Sequence, residues 1–227
     1  MPIDPSTNLA GLIDHTILRP DATRADVLRL CEDVRRYGFG AMFVSPCWLE
    51  EARQALAGVP VRIGIPVGFP HGLHTTACKV AEAVEGAERG AVELDMVLNV
   101  SRLKSGEADY VRRDIEAVVQ ATPGVGHKVI VETCYLTEAE KRLACRLVTE
   151  AGADYVKTST GFGPTGATVA DVRLMKEAVA GRAKVKASGG IRTLVATLAL
   201  LDAGADRIGT SASVAIMEEW LASKPRA

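Results

Sequence analysis

The chain has 227 residues, 48% of them hydrophobic, and a formal net charge of −1. A nearly neutral chain gives no reason to expect attraction to nucleic acid or to an anionic membrane surface. The five cysteines are scattered without a CxxC pair, which disfavours a disulfide framework and a zinc site and favours reduced thiols in the cytoplasm. The first residues lack signal-peptide features, and no apolar run is long enough to span a bilayer.

Short β-rich runs alternate with helical segments along the whole chain. The predicted strands are residues 12–16, 41–45, 62–67, 92–98, 128–132, 155–158, 184–187 and 207–209. Glycines at 90, 152 and 204 stand where helices end, at positions that require a positive φ, and each is followed directly by a strand. Thr137, with Glu140 three residues later, predicts a capping box, and Thr168 and Thr193 are candidate N-caps.

Eight strand–helix units in a chain of this length indicate an α/β fold of the closed (β/α)8 type, the TIM barrel. An open, doubly wound sheet is the alternative. Such a sheet usually carries a GxGxxG turn after its first strand, and here the sequence Leu-Arg-Pro-Asp stands there instead. Linkers and low-complexity stretches are absent, so we expect one domain over residues 1–227.

Four charged residues are predicted to point into the barrel lumen. Side chains alternate between the two faces of a strand, and the face that packs against the helices must be apolar. On four consecutive strands this alternation directs Asp95, Lys128, Lys157 and Lys186 inwards. One carboxylate and three ammonium groups therefore converge, and such a set indicates chemistry more than structure.

A lysine kept neutral in such a lumen can attack a carbonyl and form a Schiff base. An unperturbed lysine, with a pKa near 10.4, is only about one part in a thousand neutral at pH 7.4. A second ammonium about 5 Å away, together with burial, lowers that pKa substantially. By this reasoning Lys157 and Lys186 could exchange roles, and Lys157 is favoured because three hydroxyl residues follow it. Asp95 can transfer protons, and Lys128 can orient it.

Glycine-rich turns follow the last three predicted strands. Residues 188–193 (SGGIRT) and 208–213 (IGTSAS) lead from the seventh and eighth strands into helices. Barrels bind phosphate at these places through backbone N–H groups and helix N-termini. Arg192 would be unfavourable near a helix N-terminus without an anion, and residues 161–163 (GFG) could complete the cradle. We therefore predict a phosphorylated ligand.

The order of these motifs resembles the deoxyribose-phosphate aldolase family over the whole chain. The motifs are ELDMV (93–97), KVIVET (128–133), KTSTG (157–161) and KASGGIRT (186–193), with Asp14-His-Thr16 and Gly209-Thr-Ser211 fitting as well. The resemblance implies a class I aldolase that needs no metal or cofactor. Its expected reaction is the reversible cleavage of 2-deoxy-D-ribose 5-phosphate into D-glyceraldehyde 3-phosphate and acetaldehyde.

The resemblance also implies individual roles. Lys157 corresponds to the Schiff-base lysine, Lys186 to the lysine that lowers its pKa, Asp95 to the proton-transferring acid and Lys128 to the partner of that aspartate. The expected substrate- and phosphate-binding residues are Asp14, Thr16, Thr158, Gly161, Gly189, Gly190, Arg192, Gly209 and Ser211. Two departures, Phe162 where some relatives have lysine and Ala212 where some have serine, concern phosphate affinity more than the reaction.

Two other functions fit the same sequence features. One is a different phosphosugar lyase or an isomerase on the same scaffold that does not use an imine. The other is a non-catalytic sensor of sugar phosphates, which the four converging charges disfavour, because binding a sugar does not require an activated amine. The resemblance further implies a homodimer whose only other partners are small phosphosugars and aldehydes.

Overall fold

Eight parallel strands close into a barrel in the computed structural model, which describes residues 7–224. Each strand pairs with its neighbours in sequence, and β1 pairs with β8. The strands are β1 (Ile13–Ile17), β2 (Ala41–Val44), β3 (Arg62–Val67), β4 (Glu93–Val97), β5 (Gly126–Ile130), β6 (Tyr155–Lys157), β7 (Lys184–Ser188) and β8 (Arg207–Thr210). The predicted (β/α)8 barrel is confirmed, and the predicted domain, residues 1–227, extends at both ends beyond the described residues.

Helices connect the strands and cover the outside of the barrel. They are α1 (Arg24–Tyr37), α2 (Leu49–Ala55), α3 (Thr76–Glu88), α4 (Val100–Lys104), α5 (Ala108–Ala121), α6 (Glu138–Glu150), α7 (Val169–Val179), α8 (Leu194–Asp202) and α9 (Ser213–Ser223). Among residues 7–224, none of these helices has the length and apolar character needed to cross a membrane.

Local sequence signals explain where several helices begin and end. Thr137 and Glu140 form the predicted capping box of α6, and Thr168 and Thr193 accept N-cap hydrogen bonds at α7 and α8. The predicted helix-end glycines at 90, 152 and 204 have φ angles of 93°, 84° and 107°. Only glycine adopts such angles without strain, so these residues let each helix end directly before a strand.

The largest difference from the predicted strand bounds is in β5. The sequence suggested residues 128–132, whereas the strand spans Gly126–Ile130. Glu132 has a left-handed backbone, with φ 54° and ψ 68°. The predicted strand had included Val131 and Glu132 because both follow the apolar run without a turn residue between them.

Two layers of side chains give the barrel its core. Apolar residues on the outward faces of the strands, such as Val129, Val156 and Val185, are buried beneath the helices. The lumen instead holds charged residues around the ring of Phe43, which is also buried. Gly64 on β3 leaves room for this ring, because a Cβ there would lie 2.5 Å from two ring carbons. The strands therefore present a charged cluster inside an otherwise apolar shell.

Candidate active site

The four predicted lumen residues meet at one point inside the barrel. The Asp95 Oδ2 atom accepts hydrogen bonds from the Nζ atoms of Lys157 and Lys186, each at 2.7 Å. The Nζ of Lys128 lies 3.2 Å from the other oxygen of Asp95. Their placement agrees with strand alternation, since Asp95 is paired in register with Lys128, and Lys157 with Lys186. All four are at most 4% exposed.

Three further charged residues surround this centre and were not given catalytic roles from the sequence. Asp14 on β1 lies 2.5 Å from the Nζ of Lys186 and also pairs with Arg207 on β8. Glu93 on β4 accepts from Lys128 at 2.6 Å and from Arg207 at 2.7 Å. Arg207 could have been found from the sequence, because the apolar Ile208 belongs to the outward face of the strand and the adjacent Arg207 must then face the lumen.

Burial and neighbouring charges together lower the pKa of Lys157. Desolvation is the largest influence on its pKa and lowers it, the carboxylate of Asp95 opposes this, and the neighbouring ammonium of Lys186 lowers it further. The net result is a pKa of about 8 instead of 10.5. The sequence had suggested Lys186 as a major cause, whereas burial contributes more.

The pKa of Lys186 shifts in the opposite direction from that of Lys157. Burial by itself would lower its pKa, but the carboxylates of Asp14 and Asp95 outweigh burial and raise it. The pKa of Asp95 falls well below its usual value although burial opposes this, because Lys128, Lys157 and Lys186 favour the carboxylate. The site therefore combines an amine that is partly neutral near neutral pH with a protonated lysine and an ionised carboxylate.

A cavity of about 490 Å³ opens above this cluster at the carboxyl ends of the strands. Lys157 lines it, whereas Asp95, Lys128 and Lys186 lie deeper in the lumen. The other predicted site residues that line this cavity are Thr16, Gly161, Gly189, Gly190, Arg192, Gly209 and Ser211. Of the two departures noted in the sequence, Phe162 lines the cavity, and Ala212 directly follows Ser211, which also lines it.

Glycine permits close packing of the turns that form one wall of the cavity. Gly161, Gly189 and Gly190 have φ angles of 88°, 86° and 73°. A Cβ on Gly189 would lie 3.1 Å from the Cα of Gly166 and 3.4 Å from that of Gly161, so the turns after β6 and β7 touch through their backbones. Within residues 7–224 no carboxylate forms an ion pair with Arg192, which is exposed at the cavity. This wall therefore offers N–H groups and an unpaired cation to an anion.

Two predicted substrate-binding residues are not brought to the cavity wall. Asp14 is fully buried below Lys186, because it stands one layer deeper in β1 than Thr16. Thr158 is also fully buried, and its hydroxyl donates to the carbonyl of Ser188 and accepts from the Ser188 N–H, both at 3.0 Å. Thr158 follows Lys157 directly and so faces away from the lumen, where it joins β6 to β7.

Two of the hydroxyl residues that favoured Lys157 in the sequence, Ser159 and Thr160, lie in the loop directly after β6. Thr160 donates its hydroxyl to Glu132 and accepts from the N–H of Phe162 at 3.0 Å. The side chain of Ser159 is buried. Whether either hydroxyl orders an intermediate stays a prediction.

Comparison with known proteins identifies the family. The family model described as DeoC/LacD family aldolase matches residues 9–217. The chain belongs to this family of aldolases. Similar proteins include the deoxyribose-phosphate aldolase of Thermoanaerobacter sp. (strain X514), 52% identical over 94% of this chain and 97% of that protein. That of Thermococcus gammatolerans is 52% identical over 93% of this chain and 96% of that protein.

Solved structures of aldolases have the same fold. A putative deoxyribose-phosphate aldolase from Coccidioides immitis is 42% identical, with a TM-score of 0.91 over 93% of this chain and 85% of that one. The deoxyribose phosphate aldolase of Aeropyrum pernix, described as having a unique tetrameric structure, is 33% identical, with a TM-score of 0.88 over 94% of this chain and 91% of that one. The barrel and its lumen therefore belong to an aldolase scaffold.

Proposed function

We propose that this aldolase reversibly cleaves 2-deoxy-D-ribose 5-phosphate into D-glyceraldehyde 3-phosphate and acetaldehyde through a Schiff base on Lys157. The observation that carries the proposal is a buried lysine with a pKa of about 8 that lines a cavity walled by glycine-rich turns. The relatives named deoxyribose-phosphate aldolase, which match nearly the whole chain, support the choice of substrate.

Imine formation begins with the neutral amine of Lys157. With a pKa of about 8, roughly a fifth of the molecules carry the neutral amine at pH 7.4, compared with about 0.1% for an ordinary lysine. The neutral amine attacks C1 of the open-chain aldehyde and forms a carbinolamine. Lys186, kept protonated by Asp14 and Asp95, donates the proton that lets the hydroxyl leave as water.

Carbon–carbon cleavage follows from the electron demand of the iminium ion. The C3 hydroxyl loses its proton to a base, the C2–C3 bond breaks, and its electrons flow into the iminium to give an enamine on Lys157. Asp95 is the nearest ionised base, since its Oδ2 lies 2.7 Å from the Lys157 nitrogen. Protonation of the enamine at C2 and hydrolysis of the resulting imine then release acetaldehyde and regenerate the amine.

Lys128 and the deeper charges support this chemistry from below. Lys128 contacts Asp95 and Glu93, and so holds the Asp95 carboxylate ionised and in one orientation. At the other end of the cavity, Gly189, Gly190 and Arg192 would bind the phosphate of the substrate through backbone N–H groups and the guanidinium. Because Asp14 is fully buried and contacts Lys186, we assign it to keeping Lys186 protonated and not to contacting the substrate.

We also propose a cytoplasmic role in deoxyribose catabolism and a homodimeric assembly. All five cysteines are free thiols, which suits a reducing compartment. The dimer rests on the family resemblance alone, and the Aeropyrum pernix relative is described as tetrameric. Light scattering coupled to size-exclusion chromatography measures the assembly directly.

Reductive trapping tests the proposed function. The protein is mixed with deoxyribose 5-phosphate and sodium borohydride, digested, and analysed by mass spectrometry, with Lys157→Gln as the matched control. We expect an added ethyl group on Lys157, which reports both the imine and the two-carbon product, and no such group in the control. Consumption of substrate without an adduct would favour an isomerase or a lyase without an imine, and neither consumption nor adduct would favour a binding protein.

A further inference from the structure

Glu132 has an unusual combination of burial and backbone conformation. It lies two residues beyond the end of β5, and its backbone is left-handed, with φ 54° and ψ 68°. Among residues 7–224 only Ala180 shares a positive φ without being glycine. Only 4% of Glu132 is exposed. A strained backbone conformation that places a buried carboxylate is costly and is typically found at functional sites.

The carboxylate of Glu132 is satisfied by one residue of the neighbouring loop. Its two oxygens accept from the N–H of Thr160 at 3.2 and 3.3 Å, and one of them accepts a short hydrogen bond from the Thr160 hydroxyl. The Sγ of Cys134 lies 3.9 Å away. Within residues 7–224 no lysine, arginine or histidine pairs with Glu132, so its main contact is this loop.

Thr160 transmits this contact to the wall of the cavity. Its hydroxyl also accepts from the N–H of Phe162 at 3.0 Å, which fixes the turn that follows. Thr160 and Phe162 both line the cavity of Lys157, and both also line a neighbouring cavity of about 350 Å³ that Glu132 borders. The segment from Thr160 to Gly163 is therefore a thin wall between two cavities, and Glu132 holds its first residue.

The same segment contacts the turn that offers N–H groups to an anion. A Cβ on Gly161 would lie 3.8 Å from the Cα of Gly189, and one on Gly189 would lie 3.2 Å from the Cβ of Ser159. A Cβ on Gly163 would meet the Glu132 carboxylate at 3.4 Å. Movement of the wall would thus displace the turn that carries Gly189 and Gly190.

We propose that Glu132 is a positioning residue that holds the wall from Thr160 to Gly163 and thereby sets the phosphate-binding end of the cavity. This inference rests on the proposed function, since it concerns how the substrate phosphate is bound. Glu132 borders the neighbouring cavity and does not line the cavity that holds Lys157. Its removal should therefore weaken phosphate binding while leaving the chemistry on Lys157 nearly intact.

Steady-state kinetics and phosphate binding together test this role. The variants are Glu132→Gln, which keeps one accepting oxygen, Glu132→Ala and Thr160→Val. We expect KM for deoxyribose 5-phosphate to rise about threefold in Glu132→Gln and about tenfold in the other two, with kcat within about twofold of wild type. Values of kcat/KM for unphosphorylated deoxyribose should stay within about twofold, and the double variant Glu132→Ala/Thr160→Val should be no worse than either single variant.

Glu140→Ala is the matched control. Glu140 likewise accepts from the N–H and the hydroxyl of a threonine, Thr137, but it caps α6 and lines neither cavity. This control should lower the melting temperature without changing KM. Equal losses on the phosphorylated and unphosphorylated substrates, or a fall in kcat at unchanged KM, would overturn the positioning role.

Titration with inorganic phosphate followed by ³¹P NMR separates this inference from the proposed function, because it requires no turnover. We expect the apparent Kd for phosphate to rise in Glu132→Gln and Glu132→Ala in the same order as KM. An unchanged Kd in the variants would refute the inference even if the wild-type enzyme forms the imine. If Glu132→Ala does not fold, Glu132→Gln and Thr160→Val carry the test.

Discussion

Replacement of Lys186 by methionine tests how the charge of one lysine controls the reactivity of another. Lys157 and Lys186 both donate to Asp95 Oδ2 at 2.7 Å, so their nitrogens are at most about 5.4 Å apart and repel by about 3 kcal/mol at an effective dielectric of about 20. Methionine keeps most of the volume of lysine and removes the charge. The repulsion that favours neutral Lys157 is thereby lost.

The size of the effect follows from this repulsion. About 3 kcal/mol corresponds to a change of about 2 in pKa, which would move Lys157 from about 8 to about 10. The neutral fraction at pH 7.4 then falls from roughly a fifth to roughly 0.3%. Asp95 and Asp14, freed from Lys186, attract the Lys157 ammonium and act in the same direction. We therefore expect imine formation to slow about a hundredfold at this pH.

The assay is the pH dependence of the rate of borohydride-trapped adduct formation at fixed substrate. In wild type the rate should rise with a midpoint near 8, and in Lys186→Met the midpoint should move towards 10. A slower rate with an unchanged midpoint would refute the reasoning, because Lys186 would then act only as a proton donor and burial alone would set the pKa of Lys157. Since the substitution leaves Asp14 with one fewer cation, Asp14→Asn/Lys186→Met is the control for folding.

Three further substitutions probe the packing and the charges. Gly209→Ala places a Cβ 2.9 Å from Cε of the confined Lys186, so kcat should fall at least about tenfold, and an unchanged kcat would contradict this packing role. Lys79→Met leaves the buried Asp114 without its 2.6 Å partner and should cost about 3–5 kcal/mol in urea denaturation without altering kcat. Burial would raise the pKa of Asp14, but Lys186 and other cations outweigh burial and lower it. The Asp14 carboxylate therefore stabilises the fold fully above about pH 4, and this contribution is lost as pH falls through the lowered pKa. Asp14→Asn should therefore flatten the acid limb of the melting-temperature profile, and an equally steep limb would exclude Asp14 as its source.

Strand alternation predicted much of the site because alternate residues of each barrel strand point into the lumen. Asp95, Lys128, Lys157 and Lys186 were expected to share a space, and the structure brings the three lysines into contact with the Asp95 carboxylate. Helix signals were equally local, since a threonine with glutamate three residues later satisfies the first N–H groups of a helix wherever it occurs. Such features need no knowledge of distant packing.

Other features depend on contacts between distant segments. Parity puts Asp14 on the lumen face but does not give its depth, and depth decides whether it meets substrate or Lys186. The resemblance suggested Thr158 as a substrate contact, whereas its parity, opposite to that of Lys157, turns it towards Ser188. Glu132 carries no local signal, because its role depends on a left-handed backbone after β5 and on a loop 28 residues later.

The sequence favoured Lys157 over Lys186 as the nucleophile, and the carboxylates around each lysine agree with that prediction. Lys186 contacts Asp14 and Asp95, whereas Lys157 contacts Asp95 alone. Both amines are desolvated, so the second carboxylate is what raises the pKa of Lys186 while that of Lys157 falls to about 8. Lys157 also lines the cavity, and Lys186 does not. Burial lowers the pKa of both amines, and Asp14, which contacts Lys186 and not Lys157, helps to raise the pKa of Lys186 while that of Lys157 stays lowered.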